Sequence, residues 1–134
     1  MTIDIVSNDK AKQTEDAEKK AKMSMDQRTT VYRINRIAIF RPPKETLEKF
    51  LELYRRFQDT PTRQYVNALE GSSYVAMYTR KLMRDTLTLG RMRTMAELHK
   101  AQRSVLLVDD SDPHRPDCEI IRNIILKRIN DQIW

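Results

Sequence analysis

The chain has 134 residues and a formal net charge of +6, a length that accommodates one modest domain rather than two. Its single cysteine, Cys118, excludes an intramolecular disulfide and a cysteine-rich zinc site. No apolar run approaches the ~20 residues of a membrane-spanning helix, and the front end lacks the apolar core of a secretory signal.

The charge is unevenly spread. Residues 1–28 carry six acids and six bases, residues 29–108 fifteen bases and seven acids, and residues 109–134 four bases and six acids. The basic excess in the middle predicts an acidic partner, whether protein, nucleic acid or anionic membrane surface. The first 28 residues are polar, with Ile3, Ile5 and Val6 as their only branched apolar residues. Their composition predicts a tail that stays unordered unless it lies on a neighbour, with helical tendency over residues 15–22. With one arginine among six acids, the segment also departs from an Arg-rich mitochondrial presequence.

Residues 29–41 fit either a helix or an extended arm, since Val31, Ile34, Ile37 and Ala38 have helical spacing but the segment is rich in β-branched residues. Pro42-Pro43 ends it and opens the next helix. Over residues 44–58, Leu47, Phe50, Leu51, Tyr54 and Phe57 recur at spacings of three and four and share one face. Asp59-Thr60-Pro61 signals a stop and a new helix start, with Asp59 or Thr60 as N-cap. A short helix over residues 62–70 closes at Gly71, and Ser72 or Ser73 caps the next, which carries Val75, Tyr78 and Leu82. Its polar side is basic through Arg80, Lys81 and Arg84. A break near residues 86–88 precedes a third long helix over residues 89–108, with Met92, Met95, Ala96, Leu98, Val105 and Leu106 as buried candidates. Residues 109–116 form a turn-rich connector, and residues 117–134 a final isoleucine-rich amphipathic helix.

The expected architecture is all-α: an antiparallel three-helix bundle over residues 42–108, a tail and extended arm over 1–41, and a connector with a C-terminal helix over 109–134. Catalytic equipment is not apparent. His99 and His114 lack companions at metal-ligand spacing. Cys118 has no activating neighbour in the sequence. Gly71 and Gly90 form no phosphate-binding loop. Residues 62–82 outline a helix-turn-helix with Arg80-Lys81 on the second helix, which keeps a small nucleic-acid-binding module as an alternative. Glu70 and Ser72 beside the turn count against it.

Leu53-Tyr54-Arg55 near the end of the first helix, the basic second helix and the third helix after a short break together resemble the LYR-motif family of small mitochondrial proteins. Within that family the likeness is greatest to the accessory-subunit branch on the peripheral arm of respiratory complex I. Ile39-Phe40 before the helix, Asp59-Thr60-Pro61 after it and His114-Arg115-Pro116 in the connector carry it. The phenylalanine usual after the family's basic cluster is replaced here by Leu82 or Met83. The resemblance implies a non-enzymatic protein on the matrix side of the mitochondrial inner membrane, with no cofactor of its own. It implies binding to the mitochondrial acyl carrier protein, whose acylated 4′-phosphopantetheine inserts between helices. Carried over residue by residue, Leu53, Tyr54 and Arg55 are the motif. Arg55, Arg56, Arg80, Lys81, Arg84, Arg91 and Arg93 contact the carrier. Phe50, Tyr54, Phe57, Met77, Tyr78, Met92 and Met95 line the acyl channel. A transient assembly factor in iron–sulfur delivery or ribosome maturation is the alternative within the family.

Overall fold

A computed structural model describes residues 3–7, 29–56 and 60–132. It does not bear out the all-α expectation. Among the described residues the order is β1 (Ile3–Ser7), β2 (Thr29–Arg33), two 3-10 turns (Ile34–Arg36 and Ala38–Phe40), α1 (Lys44–Arg56), α2 (Pro61–Ser72), α3 (Tyr74–Arg84), α4 (Thr86–Lys100), β3 (Ser104–Asp109) and α5 (Asp117–Asp131). Among the described residues five α-helices accompany a three-stranded parallel sheet of order β1-β3-β2, so a three-helix bundle is not the architecture.

The correction has two physical sources. The expected third helix stops at Lys100, where Gln102 takes a left-handed backbone (φ 60°), the Gln102 amide donates to the His99 carbonyl and the Arg103 amide to the Leu98 carbonyl. These bonds cap the helix end without a glycine. The apolar run that follows, Val105-Leu106-Leu107-Val108, is then a strand. It sits at the middle of the sheet, where a parallel strand is covered on both faces and reads as continuously apolar. The second source is the front segment. Ile3 to Ser7 pair in parallel with Val105 to Asp109, and Ile3 is buried. Part of the expected tail therefore lies on the chain's own sheet. The helical tendency over residues 15–22 falls outside the described residues.

Residues 29–41 resolve as a strand followed by two tight turns, with Ile34 and Phe40 buried. Helix α1 starts after Pro43, whose carbonyl accepts from the Leu47 amide at 2.9 Å. Glu45 in its first turn and Arg55 and Arg56 in its last complement the helix dipole. Thr60 takes the N-cap position of α2 without a side-chain bond, and Pro61 occupies the first turn. A single left-handed residue, Ser73 (φ 53°), joins α2 to α3. The break before α4 falls at Asp85 rather than within residues 86–88. Its carboxylate accepts from the Leu87 amide at 3.1 Å and lies 2.8 Å from the Thr88 hydroxyl. Helices α4 and α5 both pack against β3. Phe50, Tyr74, Tyr78, Leu82, Met92, Met95, Leu107, Ile121 and Ile125 form a continuous solvent-free core.

Candidate functional site

The Leu-Tyr-Arg triplet sits in the last turn of α1, and its three side chains have different environments. Leu53 lies over Gly71 of α2 so closely that a Cβ built on the glycine would meet Leu53 Cδ1 at 2.7 Å. The missing side chain is what lets the two helices approach. Tyr54 is half-buried with its ring centroid 6.0 Å from that of Phe50, and its carbonyl accepts from Gln64 Nε2 of α2. Arg55 and Arg56 are exposed, Arg56 with Glu52 one turn earlier at 3.9 Å. Leu53 and Tyr54 thus fasten the helix end, and the arginines point to solvent. An open cleft of about 510 Å³ lies beside them, lined by Glu48, Leu51, Glu52, Arg55 and Arg56.

The seven cations expected at the carrier fall into separate groups. The Phe50 and Tyr74 rings are 5.2 Å apart, while Lys81 Nζ donates to the Arg41 carbonyl just before α1. Helices α1 and α3 are therefore antiparallel, with Lys81 beside the start of α1. Arg55 and Arg56 close its far end. For the 13 residues of α1, at about 1.5 Å per residue, that puts the two groups roughly 20 Å apart. Arg80 and Arg84 are exposed on the Lys81 side, and Arg91 and Arg93 are exposed on α4. Of the expected channel residues, Phe50, Tyr78, Met92 and Met95 are closed to solvent inside the packed core. Tyr54 is half-buried, Met77 is exposed, and Phe57 lies outside the described residues.

Sequence reasoning did not find the buried polar cluster where β3 ends and α5 begins. Asp117 is fully buried. Its Oδ1 accepts from the Tyr74 hydroxyl at 2.5 Å, and its Oδ2 from Asn35 Nδ2 at 3.0 Å, with Arg115 Nη2 at 3.3 Å. Asn35 also accepts from the Asp110 amide at 2.8 Å, so one side chain ties the turn after β2 to both ends of the connector. Asp109, also buried, accepts from the Ser111 amide at 2.9 Å and sits 2.8 Å from His114 Nδ1, whose ring lies 5.4 Å from that of Tyr65. Burial holds the Asp117 carboxyl above the usual carboxylate range, and the Arg115 guanidinium opposes the shift. Burial likewise raises the Tyr74, Tyr78 and Cys118 groups, so the Cys118 thiol is not an activated nucleophile. The turn-rich, acidic composition of residues 109–117 was the available signal, but it does not reveal which acid turns inward.

The cluster joins the turn after β2, the end of β3, α3 and α5 through these bonds, and it leaves Arg115 Nε buried without a hydrogen-bond partner. Among the described residues, no group of three or more histidine, cysteine or acidic side chains has the arrangement to hold a metal ion. Nor is any described helix long and apolar enough to cross a membrane. Comparison of the chain with protein-family models, curated proteins and solved structures gave no match.

Proposed function

We propose that the chain is a non-catalytic accessory subunit of mitochondrial respiratory complex I, on the matrix side of the inner membrane. In this reading it binds the acylated mitochondrial acyl carrier protein and anchors it to the complex. The observation that carries the reading is the end of α1: Leu53 seated on Gly71, Tyr54 held by Phe50 and Gln64, and Arg55 and Arg56 left in solvent. Two adjacent guanidiniums on a fastened helix end suit the acidic surface and phosphate of a carrier protein, because an arginine fork pairs with carboxylate or phosphate in two parallel hydrogen bonds. Rim pairs of this kind govern encounter rate and partner choice more than affinity. Phe50, Tyr78, Met92 and Met95 are fully packed, so an acyl chain enters among them only by separating α1 from α3. The chain's methylenes would then replace the lost core contacts at about 0.8 kcal/mol each.

The test is co-expression with the matched carrier followed by intact mass spectrometry. A one-to-one complex retaining acylated 4′-phosphopantetheine, lost when Arg55 and Arg56 are both replaced by glutamate, is the expected result. A folded chain that ignores the acylated carrier overturns the reading.

A further inference from the structure

The pole of the molecule opposite Arg55 and Arg56 has its own character. Leu87 is 71% exposed, the most exposed large apolar side chain among the described residues, and it projects from the corner where Asp85 separates α3 from α4. Met83, also exposed, lies two residues before Asp85. Arg80 and Arg84 flank Met83 on α3, and Arg91 follows Leu87 by four residues, on the same face of α4. Arg128 of α5 brings its Nη2 to 3.6 Å from the Met83 sulfur.

We propose that this pole docks the protein on an anionic lipid bilayer, with Leu87 and Met83 entering the headgroup boundary and the arginines pairing with lipid phosphates. Three features favour a bilayer over a protein partner. First, the apolar tip consists of two side chains ringed by guanidiniums, whereas a stable protein interface buries about 800 Å² per partner around a charge-poor centre. Second, arginines lay their stems along apolar surface while their heads stay at phosphate level, which is the geometry of an interfacial anchor. Third, the backbone at the tip is already partnered in part: the Leu87 amide donates to the Asp85 carboxylate and the Leu89 amide to the Asp85 carbonyl, which lowers the number of unpaired N–H groups that insertion carries into the membrane boundary. The acids at this end are that same Asp85, occupied by Leu87 and Thr88, the exposed Glu45 in the first turn of α1, and Asp131 at the end of α5. The wedge of two side chains buries less apolar surface than a single acyl chain, so even with its basic ring it predicts reversible attachment. The inference concerns a different surface from the carrier contact and stands or falls independently of it.

The full chain is sedimented with vesicles of phosphatidylcholine alone and of phosphatidylcholine mixed with phosphatidylglycerol. Binding is expected to the mixed vesicles only and to weaken as salt shortens the screening length. Arg84→Gln and Arg91→Gln each lower the partition coefficient about 5-fold, and Leu87→Asp lowers it at least about 10-fold. Arg55→Gln, at the far pole, leaves it unchanged. All these side chains are exposed, so far-UV circular dichroism is expected to stay native; if Leu87→Asp alters it, Leu87→Ser replaces it. Four outcomes overturn the proposal: equal binding to neutral vesicles, no binding to either kind, the same loss from Arg55→Gln, or Arg84 and Arg91 serving duplex DNA or the acidic carrier while vesicles are ignored.

Discussion

Asp117→Ala is the sharpest perturbation of this fold. The substitution removes one buried carboxylate and leaves three donors without their acceptor: the Tyr74 hydroxyl at 2.5 Å, Asn35 Nδ2 at 3.0 Å and Arg115 Nη2 at 3.3 Å. Tyr74 is sealed from water and the Arg115 side chain is 16% exposed, so neither regains full hydration. Breaking a buried charge pair from one side costs about 3–5 kcal/mol, a large share of the roughly 5–15 kcal/mol that holds a domain together. Tyr74→Phe removes one hydrogen bond to the carboxylate and costs about 1.5–3 kcal/mol. The two residues touch, so the double variant is less destabilised than the sum, with a coupling of about 0.5–3 kcal/mol. Urea unfolding followed by circular dichroism measures all three. A shift below about 1 kcal/mol for Asp117→Ala, or strict additivity, would refute the claim that this network fastens the sheet to α3 and α5. The pH dependence has a definite sign as well. Burial raises the native pKa of Asp117, so at pH between the unfolded and folded values the folded chain binds more protons at this site than the unfolded chain does. The stability this contributes is complete below the unfolded value and is lost as pH rises through the folded one. The deficit of Asp117→Asn relative to the natural chain is therefore greatest in acid and shrinks toward neutrality.

Gly90 lies inside α4 with open space where a Cβ would go and no positive φ, so Gly90→Ala is expected to stabilise the fold by about 0.5–1 kcal/mol in the same urea assay. Gly71→Val is expected to cost about 1–3 kcal/mol because its side chain collides with Leu53, and Leu53→Ala in the same chain should recover part of the loss. Absence of recovery would show that the α1–α2 contact is not limiting. Burial pushes the Tyr65 phenol up to about 12 and those of Tyr74 and Tyr78 higher. Their contribution to stability is complete below the ordinary tyrosine range and is lost as pH rises toward about 12. The phenolate absorbance of these three rings is thus expected to appear together with loss of helical signal, and reversible titration of all five tyrosines near pH 10 with intact helicity would contradict their burial.

The helices were legible where residue type and spacing agree. The stripe Leu47, Phe50, Leu51 and Tyr54 located α1, Pro61 and the Gly71 region bracketed α2, and the isoleucines announced α5. The sheet was not legible. A four-residue apolar run such as Val105–Val108 fits a buried helix turn or a central strand equally well. The signal that decides between them, a left-handed Gln102, has no glycine or asparagine to mark it. The pairing of Ile3–Ser7 with Val105–Asp109 joins segments about a hundred residues apart, and no local pattern specifies such a partner. At the candidate site, the triplet was visible and its exposed arginines followed from helix periodicity. That the basic residues divide between two poles was not visible, because it depends on the antiparallel packing of α1 and α3. The network around Asp117 escaped because an aspartate after a proline reads as a surface N-terminal residue until Tyr74 and Asn35 are brought over it.

The strand order β1-β3-β2 imposes a timetable on folding. The middle strand is the last of the three to be synthesised. Until residue 109 leaves the ribosome, neither β1 nor β2 has a partner, while α1 to α4 are already complete. The nascent chain therefore carries two orphan strands beside a partly collapsed helical body, a state that invites pairing with other chains and gives chaperones a reason to engage it. Closing the sheet then brings together strands distant in sequence, which sets a slow final step in an otherwise locally organised helical protein.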